Sequence, residues 1–330
     1  MLRFHFTPED LTRLRIATAP HPLWEIAASL HRFQTLEGRW AYAPWYRTAR
    51  SALRNTGLDR AVRTVLLPLF PRASYFPDFL TPADGAAGLD AGLESILAAP
   101  DRQVAREVTK LREIVGAPAW TRELTDGPMR EQLVRALRAY HHVVISPFEE
   151  RIHERLHAER TRQTRTLCGT GIEGVLNTLA PSIRWRPPVL ELGRYPTECD
   201  IHLNGRGLLL IPSYFCWNTP VSLADPDLPP VLLYPLHHSP AAPQGADGHL
   251  PLHALLGITR TGILRAAATG ATTTEAARHA GVTPTTASHH TTVLRDAGLI
   301  TSHRHANTML HALTPLGASL LQQNGRHRVH

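Results

Sequence analysis

Between Thr272 and Gly298 the chain carries its own helix start and stop signals. Thr272-Thr-Thr-Glu275 is a capping box: the threonine hydroxyl accepts the amide three residues on, and the glutamate carboxylate reaches back to the threonine's own amide. The helix it opens, through Ala276, Ala277 and Ala280, stops at Gly281, where a left-handed residue closes the last turn. Only Val282 and Thr283 precede Pro284. Thr-Pro starts a second helix, because the N–H that proline lacks is one a first turn leaves unpaired anyway. That helix is expected from Pro284 to Ala297, ending at Gly298. Two short helices joined by so tight a turn have few ways to bury both apolar faces, and the pattern predicts a helix-turn-helix.

In the second helix Ala287, Val293, Leu294 and Ala297 are expected to point inward. Thr285, Thr286, Ser288, His289 and Thr292 lie on or near the other face, where short donors and acceptors suit the base edges and phosphates of a major groove. His290 falls toward the core side, as a buried hydrogen-bonding residue rather than a base reader. Upstream, Leu252 to Ala268 carries a helical stripe ended by Gly270. Downstream, Leu299–His303 and Thr308–Leu313 predict a hairpin whose tip holds Arg304, His305 and Asn307. Thr314-Pro315 starts a last helix with Leu316, Leu320 and Leu321 apolar. Helix, helix-turn-helix, two-stranded wing and helix is the winged-helix order, spanning 251–323 with a tail at 324–330.

Charge is concentrated in the same place. The chain of 330 residues has a formal net charge of +7, and Lys110 is the only lysine among its 35 basic residues. From Pro251 onward seven arginines face only Glu275 and Asp296. A small, basic, acid-poor segment is the electrostatic footprint of a nucleic-acid module. Phosphate contacts are expected from arginines and from helix N-termini, including the amides near Thr272 and Thr285.

Ala287-Ser-His-His-Thr-Thr-Val-Leu-Arg-Asp-Ala-Gly-Leu-Ile300 resembles the recognition-helix signature of ArsR/SmtB-type repressors, and Leu313-Thr-Pro-Leu-Gly317 resembles their wing exit. The resemblance implies a dimer on double-stranded DNA and repression relieved by a ligand. Metalloid sensors of that family carry Cys-x-Cys-x-x-Cys in the first helix of the motif, whereas Thr274 to Ala280 holds no cysteine. Zinc sensors carry Asp-x-His near the start of the last helix, where this chain has Pro315 and Gly317. A metal effector is therefore not expected, and any small-molecule signal would be read by the first 250 residues. That region, with Leu2-Arg-Phe and Gly207-Leu-Leu-Leu-Ile-Pro212, is similar to an uncharacterised domain that precedes such winged helices in GC-rich bacteria.

The first 180 residues are expected to be helical, cut into segments by prolines, with Pro128–Val144 showing the clearest period. Trp24, Trp40, Trp45 and Tyr46 are assigned to its core rather than to a ligand pocket. A small antiparallel sheet is expected over 189–237, including a hairpin at Asn204-Gly205. A Pro/Gly/Ala-rich linker, 238–250, follows. The expected class is α+β: a mainly helical N-terminal region with a small antiparallel sheet, for sensing or dimerisation over 1–237, then a C-terminal winged helix-turn-helix.

His153-Glu-Arg-Leu-His157 satisfies HExxH, the helical spacing that places two zinc-binding imidazoles on one face. Glu173 is the nearest candidate third ligand for a zinc hydrolase or a metal sensor. Arg155 puts a cation inside the motif, and the flanking Glu/Arg alternation is that of a solvated helix. The preferred expectation has no metal, no cofactor and no catalysis. Three scattered cysteines make no disulfide framework, no apolar run reaches membrane-spanning length, and the first ten residues lack a signal-peptide layout, so a cytosolic protein is expected.

Overall fold

Prolines start several helices of the first unit, as their fixed φ favours. Pro22–Gln34, Ala43–Thr56 and Gly127–Tyr140 each hold proline in the first turn, and Asp101–Val115 has Pro100 as its N-cap. The computed structural model describes residues 1–35, 37–72, 75–193, 195, 198–236, 252–305 and 308–325. They form two units, Met1–Pro240 and Ala241–His330, divided within the expected linker. The linker itself lies outside the described residues. The protein is mixed α+β, and among the described residues no helix is long and apolar enough to cross a membrane.

The helices of the first unit enclose a core in which Trp45, Tyr42, Tyr140, Phe70 and Phe215 are fully buried. Polar tips in it find partners: Trp45 Nε1 donates to the Val144 carbonyl at 3.0 Å, and Tyr140 and Ser29 share a hydrogen bond at 2.9 Å. Trp24 and Tyr46 join the core as expected. Trp40 does not; it is 52% exposed and meets Trp217 edge-on.

The sheets correct the sequence reading. In place of one antiparallel sheet after residue 189 there are two four-stranded mixed sheets, and both recruit strands from the first sixteen residues, which were expected to be helical. β1 (Leu2–His5), β2 (Arg15–Ile16), β3 (Ile183–Arg186), β4 (Val189–Leu192), β5 (Cys199–His202), β6 (Leu209–Ser213), β7 (Val221–Ser222) and β8 (Val231–Pro235) make them up. The first sheet has the order β3-β4-β1-β5, with β1 antiparallel to β4 and parallel to β5. Leu2, Phe4, Ile183, Trp185, Leu190 and Leu192 put its apolar side on Val175, Leu176 and Leu179. The second has the order β2-β6-β8-β7, parallel except for β7.

The Asn204-Gly205 turn forms, but it makes no hairpin. Both residues have positive φ (54° and 80°), and the Arg206 amide closes the turn on the Leu203 carbonyl at 3.0 Å. The chain then leaves through Gly207, at φ 73°, where an added Cβ would lie 2.5 Å from the Arg13 carbonyl oxygen. β5 therefore stays in one sheet while β6 enters the other.

In the second unit the expected Leu252–Ala268 helix is divided at Gly257 (φ 81°, ψ 155°) into Leu252–Leu256 and Ile258–Ala266. Leu255 of the expected apolar stripe ends up exposed. The helices Thr273–Ala280 and Pro284–Asp296 follow. β9 (Ala271–Thr272), β10 (Ile300–His305) and β11 (Thr308–Leu313) form a sheet of order β10-β11-β9, and the helix Pro315–Gly325 closes the unit. That helix takes in two residues of the expected tail; 326–330 lie outside the described residues. Ile263, Leu264, Ala276, Ala287, Leu294 and Ile300 form the core.

Candidate nucleic-acid interface

The capping box is built as its spacing demands. The Thr272 hydroxyl accepts the Glu275 amide at 3.3 Å, and the Glu275 carboxylate accepts both the amide and the hydroxyl of Thr272 at 2.8 Å. Those bonds hold the Glu275 carboxyl below its usual range. They also remove Thr272 from the phosphate-binding role expected of it: its amide and hydroxyl are engaged, and a fixed carboxylate repels an anion at that helix start.

Gly281 closes the first helix in the left-handed region (φ 67°), and Thr283 caps the second by accepting the Thr286 amide at 3.2 Å. No acidic residue lies in the first turn of Pro284–Asp296, so the helix dipole there is uncompensated. Along this helix Thr285, Thr286, Ser288 and His289 are exposed and Thr292 is half-buried. The structure thus places five predicted contact residues on one accessible helix. Two of their hydroxyls are partly engaged, Thr286 with the Thr283 hydroxyl at 2.9 Å and Thr292 donating to the Ser288 carbonyl at 3.0 Å.

The buried side of that helix differs from expectation. Ala287 and Leu294 are buried, but Val293 is only half-buried, Ala297 is exposed, and Thr291 is buried with its hydroxyl on the Ser288 carbonyl at 2.9 Å. His290 is half-buried, yet its Nδ1 is buried without a hydrogen-bond partner. Burial, then the charges of Arg260 and His289, lower its pKa.

Arg304 is exposed, but in β10 opposite Met309 rather than in the loop; Asn307 lies outside the described residues. The sheet is tied to the helices by His311, which sequence reasoning missed. It is 4% exposed, with Nε2 against the Thr273 hydroxyl at 3.0 Å and Nδ1 against the Ser302 hydroxyl at 2.8 Å. Burial, and secondarily Arg295, lower its pKa. A histidine within an otherwise apolar strand, Thr308-Met-Leu-His-Ala-Leu313, was the available signal.

The HExxH residues do not assemble a metal centre. His153 and His157 are exposed; His153 Nδ1 donates to the Glu149 carbonyl at 2.8 Å, and His157 Nδ1 accepts from Arg160 at 3.2 Å. Glu173 lies beyond Gly171, whose φ of 71° and ψ of −169° interrupt the helix Glu149–Asn177. Among the described residues no three His, Cys, Asp or Glu side chains are grouped to hold a metal ion. A guanidinium beside one of the two imidazoles further opposes a dication.

Set against known protein families, curated proteins and solved structures, the chain matches none. The candidate site consists of one accessible polar helix face, capped at its start, beside a strand that carries Arg304, in a segment with few carboxylates.

Proposed function

We propose that this protein is a DNA-binding transcriptional regulator whose C-terminal unit is a winged helix-turn-helix of the ArsR/SmtB type. It binds a pseudo-palindromic duplex as a homodimer, with a repressor's logic and with a signal read by the first unit. The observation that carries this reading is the exposed row Thr285, Thr286, Ser288 and His289 on a helix whose first turn holds no acidic residue. Ser288 and His289 read base edges, and the amides at the Thr285 end take a phosphate. Arg304 meets the backbone or an adjacent minor groove from the wing. Leu255 and Ile258, 73% and 79% exposed, supply an apolar surface suited to a symmetric partner.

Gel-shift titration over a salt series tests the division of labour. Arg304→Ala weakens binding to all duplexes about equally and lowers the salt slope by about one unit. Ser288→Ala and His289→Ala relax sequence preference, each by about 1–3 kcal/mol at one base position. An unaltered specificity profile in both helix variants overturns the assignment of the reading helix.

A further inference from the structure

Arg32 is a charge without an evident counterpart. It is 2% exposed in the helix Pro22–Gln34, and its Nε and Nη1 have no hydrogen-bond partner. Among the described residues no carboxylate forms a salt bridge with it. Burial lowers its pKa, and the charge of half-buried Arg72, whose Nε is likewise unpartnered, lowers it further. Arginine stays protonated at pH 7 all the same. Two like charges withdrawn from water side by side are tolerated when an anion or a set of acceptors replaces the water.

Both arginines line one cleft, whose apolar wall includes Trp24, Phe76, Phe215 and Leu233. The cleft measures about 320 Å³, but nearly all of that is its open mouth; within the walls there is room for about one water-sized body. None of the residues lining it supplies a negative charge. Cys216 is a thiol and not a thiolate, because burial pushes its pKa up to about 12. Burial, then the charges of Arg72 and Arg32, push the His31 imidazole down to about 3, so at pH 7 its ring is neutral. Two buried carboxylates of the same unit are engaged elsewhere. Glu25 accepts the amides of Tyr214 and Phe215 and the Ser213 hydroxyl, and Asp78, on an adjoining cleft, accepts the amides of Ala224 and Asp225.

We propose that this cleft binds a single chloride ion, held by the unpartnered N–H groups of Arg32 and Arg72. Size selects a monatomic anion: a carboxylate with an apolar body, or a phosphate with four oxygens, does not enter a space made for one water, whereas chloride is a sphere little larger than a water. Charge selects an anion over a water. A water accepts an N–H but leaves both guanidinium charges uncompensated, while a hydrogen bond between two ions is the stronger kind and cancels one of them. A spherical ion also accepts N–H groups from several directions and makes no hydrogen-bonding demand on the apolar wall. The site lies within the first unit and stands independently of the DNA-binding reading.

Thermal melting and chloride NMR of the full chain, without DNA, test it. Replacing sodium gluconate by sodium chloride at constant ionic strength is expected to raise Tm saturably, by about 3 °C or more at about 100 mM. The chloride resonance is expected to broaden by a component that bromide displaces and gluconate does not. Arg32→Met is expected to lose both responses, while its Tm in gluconate holds or rises because an uncompensated buried charge is gone. Arg72→Ala, at a half-buried position, is expected to weaken chloride binding at least severalfold. The proposal is overturned by a wild type whose Tm is the same in the two salts, or by a rise that inorganic phosphate matches with the same dependence on Arg32. It is equally overturned by variants that respond as wild type does, since the ions then sit on the arginine-rich surface. Should Arg32→Met fail to fold, Arg72→Ala decides alone.

Discussion

Glu25 is a carboxylate reaching from the helix Pro22–Gln34 to hold the end of β6. It accepts the amides of Tyr214 and Phe215 at 2.8 and 3.1 Å and the Ser213 hydroxyl at 3.1 Å. Burial outweighs those bonds and pushes its pKa up to about 7. A carboxyl whose folded pKa is raised contributes stability that is complete below about pH 4.5 and is lost as pH rises through 7. The loss is of order 3 kcal/mol. Chemical denaturation at pH 5 and pH 8 should show it, and Glu25→Gln, which cannot titrate, should flatten the difference; an unchanged pH slope would refute the assignment. Gly317 makes the opposite kind of demand, for empty space. A Cβ there would lie 2.1 Å from the Leu299 carbonyl oxygen, so the last helix can approach the strand only without a side chain. Gly317→Ala is expected to cost about 1–3 kcal/mol of stability in urea melts, as other overpacking substitutions do.

Elements were legible where their signals are local. Thr272, Glu275, Gly281, Thr283 and Pro284 each act within a few residues of themselves, and both helices begin and end close to where those residues put them. Strand pairing is not local: Leu2 opposes Leu192 and Cys199, and nothing in the first six residues announces either partner. Burial decided the fate of the Asn204-Gly205 turn. β6 and β8 are buried along nearly their whole length, as parallel interior strands are, whereas β5 is mostly exposed and suits an edge. Of the candidate reading face, the exposed row was legible from helical period; the capture of Thr272 by Glu275 follows from the capping box itself, and the role of His311 needed the third strand. His311 gives this scale its prediction. Its pKa is lowered in the fold, so the stability it permits is present above its ordinary value of 6.5 and is lost as pH falls below that value. Half-buried His290 shifts in the same direction. Hydrogen exchange of the β10 and β11 amides is expected to accelerate between pH 7.5 and 5.5 beyond the intrinsic pH dependence, and His311→Gln should remove part of that excess.

For the molecule as a whole, net charge and apolar exposure set different requirements. In the proposed reading the seven arginines after Pro251 supply attraction to phosphate, which acts on any duplex and fades with salt. Selecting a palindrome requires two reading helices held about 34 Å apart, which one copy of the chain cannot provide. Leu255 and Ile258 flank the break at Gly257, and their exposure means that replacing them removes little from the core of their own unit. Leu255→Glu with Ile258→Glu should therefore leave the melting temperature of the second unit within a few degrees of wild type. If these residues join two copies, sedimentation of the doubly substituted protein should show a monomer at micromolar concentration. Its affinity for a full palindrome should fall at least about tenfold while half-site affinity is retained, because the contacts to each half-site are intact and only their linkage is lost. A variant that stays dimeric and binds the palindrome undiminished would place the symmetric contact elsewhere on the chain. One that becomes monomeric yet binds as before would remove the need for symmetry, and with it the argument that this protein reads a palindrome.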